Sequence, residues 1–107
     1  MKTEKLHTLP EFIAHNAITT AYGAVVAVAS VNESNFRLLI NQLDFVHFYA
    51  VFILIDGAAE VDIDNEKLKL SQHSVLRIAP MQRVESLQCS TELCGYLLLI
   101  ESTFYAE

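Results

Sequence analysis

Two cysteines and four histidines are the residues of this 107-residue chain best suited to hold a metal or to attack a substrate, and their spacing argues against both. Cys89 and Cys94 lie close in sequence, but two thiols cannot close a tetrahedral site, and His73, the nearest histidine, is remote. They read as an ordinary reduced pair on or beside a strand. His7 and His15 fall in a mixed N-terminal stretch and suit surface or capping roles. His47, beside Phe48 and Tyr49, reads as a half-buried strand histidine, with a ligand hydroxyl as its alternative contact. No Ser, His and Asp set has the spacing of a triad. Glu60, Asp62, Asp64 and Glu66 invite a calcium reading, yet their alternation suits the solvated face of a hairpin, and the glycine-turn loop of a helical calcium site is missing.

Whatever these side chains do, short strands must position them. From Ala24 the run VVAVASV is rich in β-branched residues and ends at a turn-forming segment, Asn32 to Asn35. FRLLIN, residues 36–41, reads as the next strand. His47 to Ile55 follows, apolar on both alternating faces, as in a strand central to a sandwich or covered by a partner. After Gly57, Ala59, Val61 and Ile63 share one face, and Glu60 and Asp62 the other. Asp64-Asn65 makes a tight turn, since both tolerate positive φ. The return strand puts Leu68 and Leu70 inward, with Lys67 and Lys69 facing the acids across the hairpin. SVLRIA, Arg83 to Leu87 and Leu93 to Ile100 complete eight strands with little room for helix, apart from a short one expected from Pro10 to Ala17. Eight strands separated by turn signals predict an all-β sandwich or jelly roll.

Composition sets the limits. The length supports one domain, 1–107, with residues 1–20 as an N-terminal extension. Hydrophobic residues at 52% against 19% charged exclude a disordered tail. Ala14 to Val31, the longest uncharged apolar stretch, is interrupted by polar residues and reads as loop followed by strand, not as a membrane span. With no basic leader and cleavage site at its start, the chain is expected to be cytoplasmic. Its net charge of −6, with scattered basic residues, offers no stripe for phosphates, so this segment should not bind nucleic acid.

The strand-Gly-strand unit FYAVFILIDGAAEVDID, the later LKLSQHSVLRIAPMQRVES and the closing YLLLIESTF together resemble the cupin superfamily, over roughly Asp44 to Glu101. Within it, they are similar to the N-terminal effector domains of AraC-type transcription regulators. The resemblance implies a double-stranded β-helix, a jelly-roll barrel. It also shows what is missing. With Gly57 as the closing glycine of the first motif, the metal-ligand positions fall on Asp44, Val46 and Ala50, with His47 one residue out of register. In the second motif the glycine, proline, glycine and histidine positions fall on His73, Ala79, Met81 and Val84. Of the ligand positions, Asp44 alone carries a donor, and a transition ion wants three or four, so neither metal nor cofactor is expected.

The resemblance turns attention to the barrel interior. Ala50, Phe52 and Leu54 should face inward from one strand, and Val84 and Ser86 from the opposite side. His47, with Tyr96 or Cys94, would add polar contacts; alternatively the side chains simply fill the barrel. The reading is a non-catalytic, ligand-sensing and dimerisation domain of an AraC-like regulator, its effector a sugar or other small metabolite. The DNA-binding helix-turn-helix part would be absent from this chain, and a homodimer would form on the strand His47 to Ile55. Two alternatives stand beside it: a free-standing interaction barrel, and a metal-dependent cupin isomerase or dioxygenase.

Overall fold

The computed structural model describes residues 9–16, 20–21 and 26–101. In chain order it contains helix α1 (Leu9–Asn16), strands β1 (Thr20–Ala21) and β2 (Val26–Asn32), helix α2 (Glu33–Asn41), and strands β3 (Tyr49–Asp56), β4 (Ala59–Ile63), β5 (Glu66–Leu70), β6 (Val75–Ile78), β7 (Val84–Cys89) and β8 (Cys94–Ile100). Expectations about His7, about the helix end at Ala17, about the side chain of His15 and about Phe104 lie outside what is described.

Alternation of apolar and polar residues builds the strands, and pairing arranges them in two antiparallel sheets, β1-β2-β8-β3-β6 and β5-β4-β7. The fold is mostly β, a two-sheet barrel or sandwich, as expected from the sequence. Parity is as read: Ala50, Phe52 and Leu54 of β3 and Ala59, Val61 and Ile63 of β4 are buried in one core, while Glu60 and Asp62 turn outward. Cross-strand register sets Asp62 against Lys67 and Glu60 against Lys69. Asp64 and Asn65 both take positive φ, 53° and 70°, giving the tight hairpin those residue types allow. Each fully buried aromatic, such as Phe12, Phe48 or Phe52, contributes roughly 1.5–3 kcal/mol by leaving water.

Residues 36–41 are the main correction. They form helix α2, not a strand, because the Asn32 to Asn35 run is a cap and not a turn. Asn32 Oδ1 accepts from the N–H groups of Ser34 and Asn35 at 2.9 and 3.1 Å, and Asn35 Oδ1 accepts from Asn32 N–H at 2.8 Å. This reciprocal cap satisfies the first N–H groups of a helix. Phe36, Leu39 and Ile40 then fall on one helical face and are buried, whereas Leu38, inward on a strand reading, is 59% exposed. The eighth strand is instead the short β1, and the helix expected from Pro10 is α1, which takes in Ala14 to Asn16. α1 packs the edge of Phe12 against Phe48, ring centroids 5.6 Å apart, and Asn16 Nδ2 donates to Gln42 Oε1 at 2.8 Å just after α2. None of the described helices is long and apolar enough to cross a membrane.

Candidate functional site

The two ends of the three-stranded sheet differ. At the end where β7 begins, three loops meet. Asp64 Oδ1 and Oδ2 accept from Arg83 N–H and Gln82 Nε2, both at 2.9 Å, and Gln82 Oε1 accepts from Ala79 N–H at 2.7 Å. These bonds, the first above all, hold the Asp64 carboxyl below its ordinary value, against a small opposing effect of burial. Phe45 N–H donates to Gln82 O at 2.9 Å and Met81 N–H to Val46 O at 2.8 Å, so the loops before β3 and before β7 are stitched together.

This is also the end where cupin-type metal ligands would stand. Asp44 Oδ1 accepts from Val84 N–H at 2.9 Å, which engages that oxygen with backbone, and Val46, Ala50 and Val84 are buried aliphatic groups. That donor set does not fit a divalent transition ion. Among the described residues no three His, Cys, Asp or Glu side chains gather to hold a metal. His73 and Met81, which stand at the glycine positions of the second motif, adopt φ of 71° and 67°. The backbone at both positions takes the left-handed conformation that glycine would relax.

The inward set comes together in part. Ala50, Phe52, Leu54, Val84 and Ser86 are all buried as expected. Tyr96 is not with them: it is 46% exposed on the outer face of the five-stranded sheet, opposite Ile53 and Ser30 in register. His47 is exposed just before β3, where the strand alternation that would have half-buried it has not begun, and Cys94, at the start of β8, is exposed too. Among the described residues the one buried polar side chain is Ser86, 4% exposed, and its hydroxyl meets no hydrogen-bond partner.

At the opposite end, where β4 starts and β5 and β7 finish, lies a cleft of about 560 Å³. Ala59 pairs with Leu70 on one side and Cys89 on the other, and these three form the last inner row of the sheet. Glu60, Lys69 and Gln88, the adjacent row, supply the rim. Ser90 Oγ accepts from Ala58 N–H at 3.0 Å, and Ala58 O accepts from Ser90 N–H at 2.9 Å, which fixes the loop edge. Burial pushes the Cys89 thiol up, the carboxylate of Glu33 adds to this and Arg37 opposes it, so the sulfur is held as a thiol. Cys89 and Cys94 are both free. Sequence reading missed this cleft. The Glu60–Lys69 pairing was visible, but the strand order β5-β4-β7, which brings Cys89 beside Ala59, was not.

No protein-family model and no curated protein matches the chain. Solved structures do. A cupin protein from Bacteroides fragilis superposes over 77% of this chain and 68% of its own, with a TM-score of 0.51 and 18% identity. A Cupin 2 conserved barrel domain protein from Salinispora arenicola covers 83% of this chain and 76% of its own, at 0.50 and 16%. The Cnp3 cupin domain of Schizosaccharomyces pombe covers 81% of this chain and 64% of its own, at 0.57 and 11%. At such identities the likeness concerns the fold, and the fold is that of a cupin barrel.

Proposed function

We propose that this cupin barrel is the ligand-sensing and dimerisation domain of an AraC-like transcription regulator and performs no catalysis. The observation that carries the proposal is the replacement of metal donors by Val46, Ala50 and Val84, with the Asp44 carboxylate bound to the Val84 N–H. With Asp44 as the one donor left at these positions, the barrel would keep its shape as a binding module and lose the Lewis acid on which metal-dependent isomerase or dioxygenase chemistry depends. DNA contact would belong to a separate basic domain, because a chain of net charge −6 lacks the phosphate-neutralising face.

Dimerisation is assigned to the outer face of the five-stranded sheet. Register lines up Val28, Leu98, Val51 and Arg77 in one row and Ser30, Tyr96, Ile53 and Val75 in the next. Neither row contains a carboxylate, and the one charge in them, Arg77, stands on β6 at the edge of the sheet, so most of this face of an acidic chain is free of the chain's prevailing charge. A two-fold axis would bring the same rows together from both sides.

A free-standing interaction barrel is the second reading, favoured by the complete burial of Phe52, Leu97 and Leu99 in the interior. The deciding test is the reading frame beyond Glu107, joined to a mobility-shift titration. A basic helical segment of about a hundred residues, a typical domain size, should follow, and the longer protein should bind duplex DNA where residues 1–107 do not. A stop codon close behind Glu107, or micromolar retardation by 1–107 alone, overturns the regulator reading. Elemental analysis of protein purified without chelator tests the non-catalytic part: one tightly held transition ion per chain sinks it.

A further inference from the structure

Among the described residues of the cupin barrel, the inward-facing core and a cleft at one end are chemically unlike as places for a small molecule. The interior is lined by fully buried apolar side chains, Phe52, Leu97 and Leu99 among them, and the loops at the Asp44–Val84 end are tied together by hydrogen bonds. The cleft at the other end has about 560 Å³, within the range of roughly 300–1,000 Å³ of ligand pockets. We propose that this cleft is the small-molecule site of the protein, and that its ligand is a neutral, largely apolar molecule with one or two hydrogen-bonding oxygens or nitrogens. The proposal rests on the sensor reading for its purpose, but not for its chemistry.

Three observations define the ligand. The wall is apolar, since Ala59, Leu70 and Cys89 form one row of the inner face and Ala58 extends it. A sugar placed there would turn hydroxyls toward groups that cannot bond them, at a cost of roughly 1–3 kcal/mol for each one left unpaired. The rim is electrically balanced, because Glu60 and Lys69 stand opposite one another in register. A carboxylate drawn to Lys69 would meet Glu60, and an ammonium drawn to Glu60 would meet Lys69, so net charge on the ligand gains little. The polar contacts are few: Ser90, whose oxygen accepts from Ala58 N–H, keeps its own proton to donate, and Ser71 and Gln88 complete the set.

Ser86 is the polar side chain buried nearest the cleft in register, though it does not line it. It pairs with Val61, so it belongs to the inner row just beneath Ala59 and Cys89, at a row spacing of roughly 7 Å. Its buried hydroxyl has no partner among the described residues. A buried polar atom left unpaired is unfavourable, and one row of side chains separates this hydroxyl from the cleft.

The probe is Nile red, a neutral apolar dye with one carbonyl, titrated into the full 107-residue chain. Saturable fluorescence at one dye per chain is expected. Ala58→Trp, at an exposed position of the wall, should weaken binding by about tenfold or more, a tenfold change being 1.4 kcal/mol. Leu38→Glu, on the exposed face of α2, should leave it unchanged. A second readout needs no change to the cleft: in Cys94→Ser protein, saturating dye should slow modification of Cys89 by dithionitrobenzoate several-fold. Absent dye binding, parental affinity in Ala58→Trp, or an unprotected Cys89 each overturns the proposal. Loss of binding in Ile53→Glu with parental binding in Ala58→Trp overturns it as well, placing the dye on the outer sheet face. A dye-binding cleft in a protein with no DNA-binding segment keeps this inference and removes the regulator; the reverse result removes the cleft alone.

Discussion

Asn41 and Ser86 lie 45 residues apart in sequence, and the side-chain oxygen of the first accepts the backbone N–H of the second at 2.7 Å. Asp44 does the same for Val84 at 2.9 Å. Val84 and Ser86 are alternate residues of β7, the edge strand of its sheet, so these are the N–H groups that a neighbouring strand would have taken. The end of α2 and its following turn thus seal the edge with side chains, in the region where a strand had been expected. Sealing matters because an open edge invites pairing with another chain.

Asn41→Ala and Asp44→Ala should each cost about 1–2 kcal/mol of stability, the range for a part-buried backbone donor that loses its acceptor. Urea unfolding measures this directly. The two losses should also appear as faster amide exchange at Ser86 and Val84 respectively. Unchanged exchange at both amides would mean that water or a shifted neighbour takes over, and that the side chains do not seal the edge.

Much of this architecture was legible in the sequence because alternation and turn chemistry are local. Ala59, Val61 and Ile63 declare their face by spacing, and Asp64-Asn65 declares its turn by residue type. α2 escaped because Phe36, Leu38 and Ile40 also alternate, and an apolar run this short satisfies both periods. Asn32 and Asn35 held the deciding signal, since the same residue types that favour turns also cap helices. Tyr96 was misplaced for a different reason: its candidacy came from its polar tip, whereas parity from the buried Leu97 and Leu99 turns it outward. The cleft was beyond reach, since it depends on strand order.

Met81→Gly should raise stability by up to about 1 kcal/mol, whereas Met81→Ala should not. Left-handed backbone costs a residue with a Cβ roughly 1–2 kcal/mol, part of which glycine returns as unfolded-state entropy. Met81 sits at φ 67° and is 55% exposed, so little packing is lost with its side chain. Thermal melts of the two variants separate backbone strain from side-chain removal. Equal shifts in both would place the effect in the thioether contacts and not in φ.

Asp64 should contribute an acid-sensitive share of stability. Its carboxyl is held below the ordinary value by the Arg83 N–H first and the Gln82 amide second. A depressed folded value means that the unfolded chain binds the proton more readily. The contribution is therefore complete above the unfolded value, about 3.9, and is lost as pH falls from there through the folded value. Asp64→Asn keeps a residue tolerant of positive φ but cannot titrate. Its melting temperature should fall less steeply than the parent's between about pH 5 and pH 2.5. Parallel curves for parent and variant would show that the two hydrogen bonds do not distinguish the charged from the neutral carboxyl.

Ile53→Glu should convert a dimer to monomer without unfolding it. Ile53 is half-buried on the outer face of β3, flanked in register by Tyr96 on β8 and Val75 on β6, both exposed. Large exposed apolar side chains gathered on one sheet face mark an association surface. Under two-fold symmetry each substitution enters the interface twice, so two carboxylates would be buried in one apolar contact. The dissociation constant should rise by at least about 100-fold, the scale of a central interface residue. Light scattering gives the mass, and far-ultraviolet circular dichroism checks that the β-sheet persists. Leu38→Glu, exposed on α2 and outside this face, serves as the comparison and should leave the mass unchanged. A monomeric parent, or a dimer that survives Ile53→Glu with its sheet intact, rejects this face as the interface.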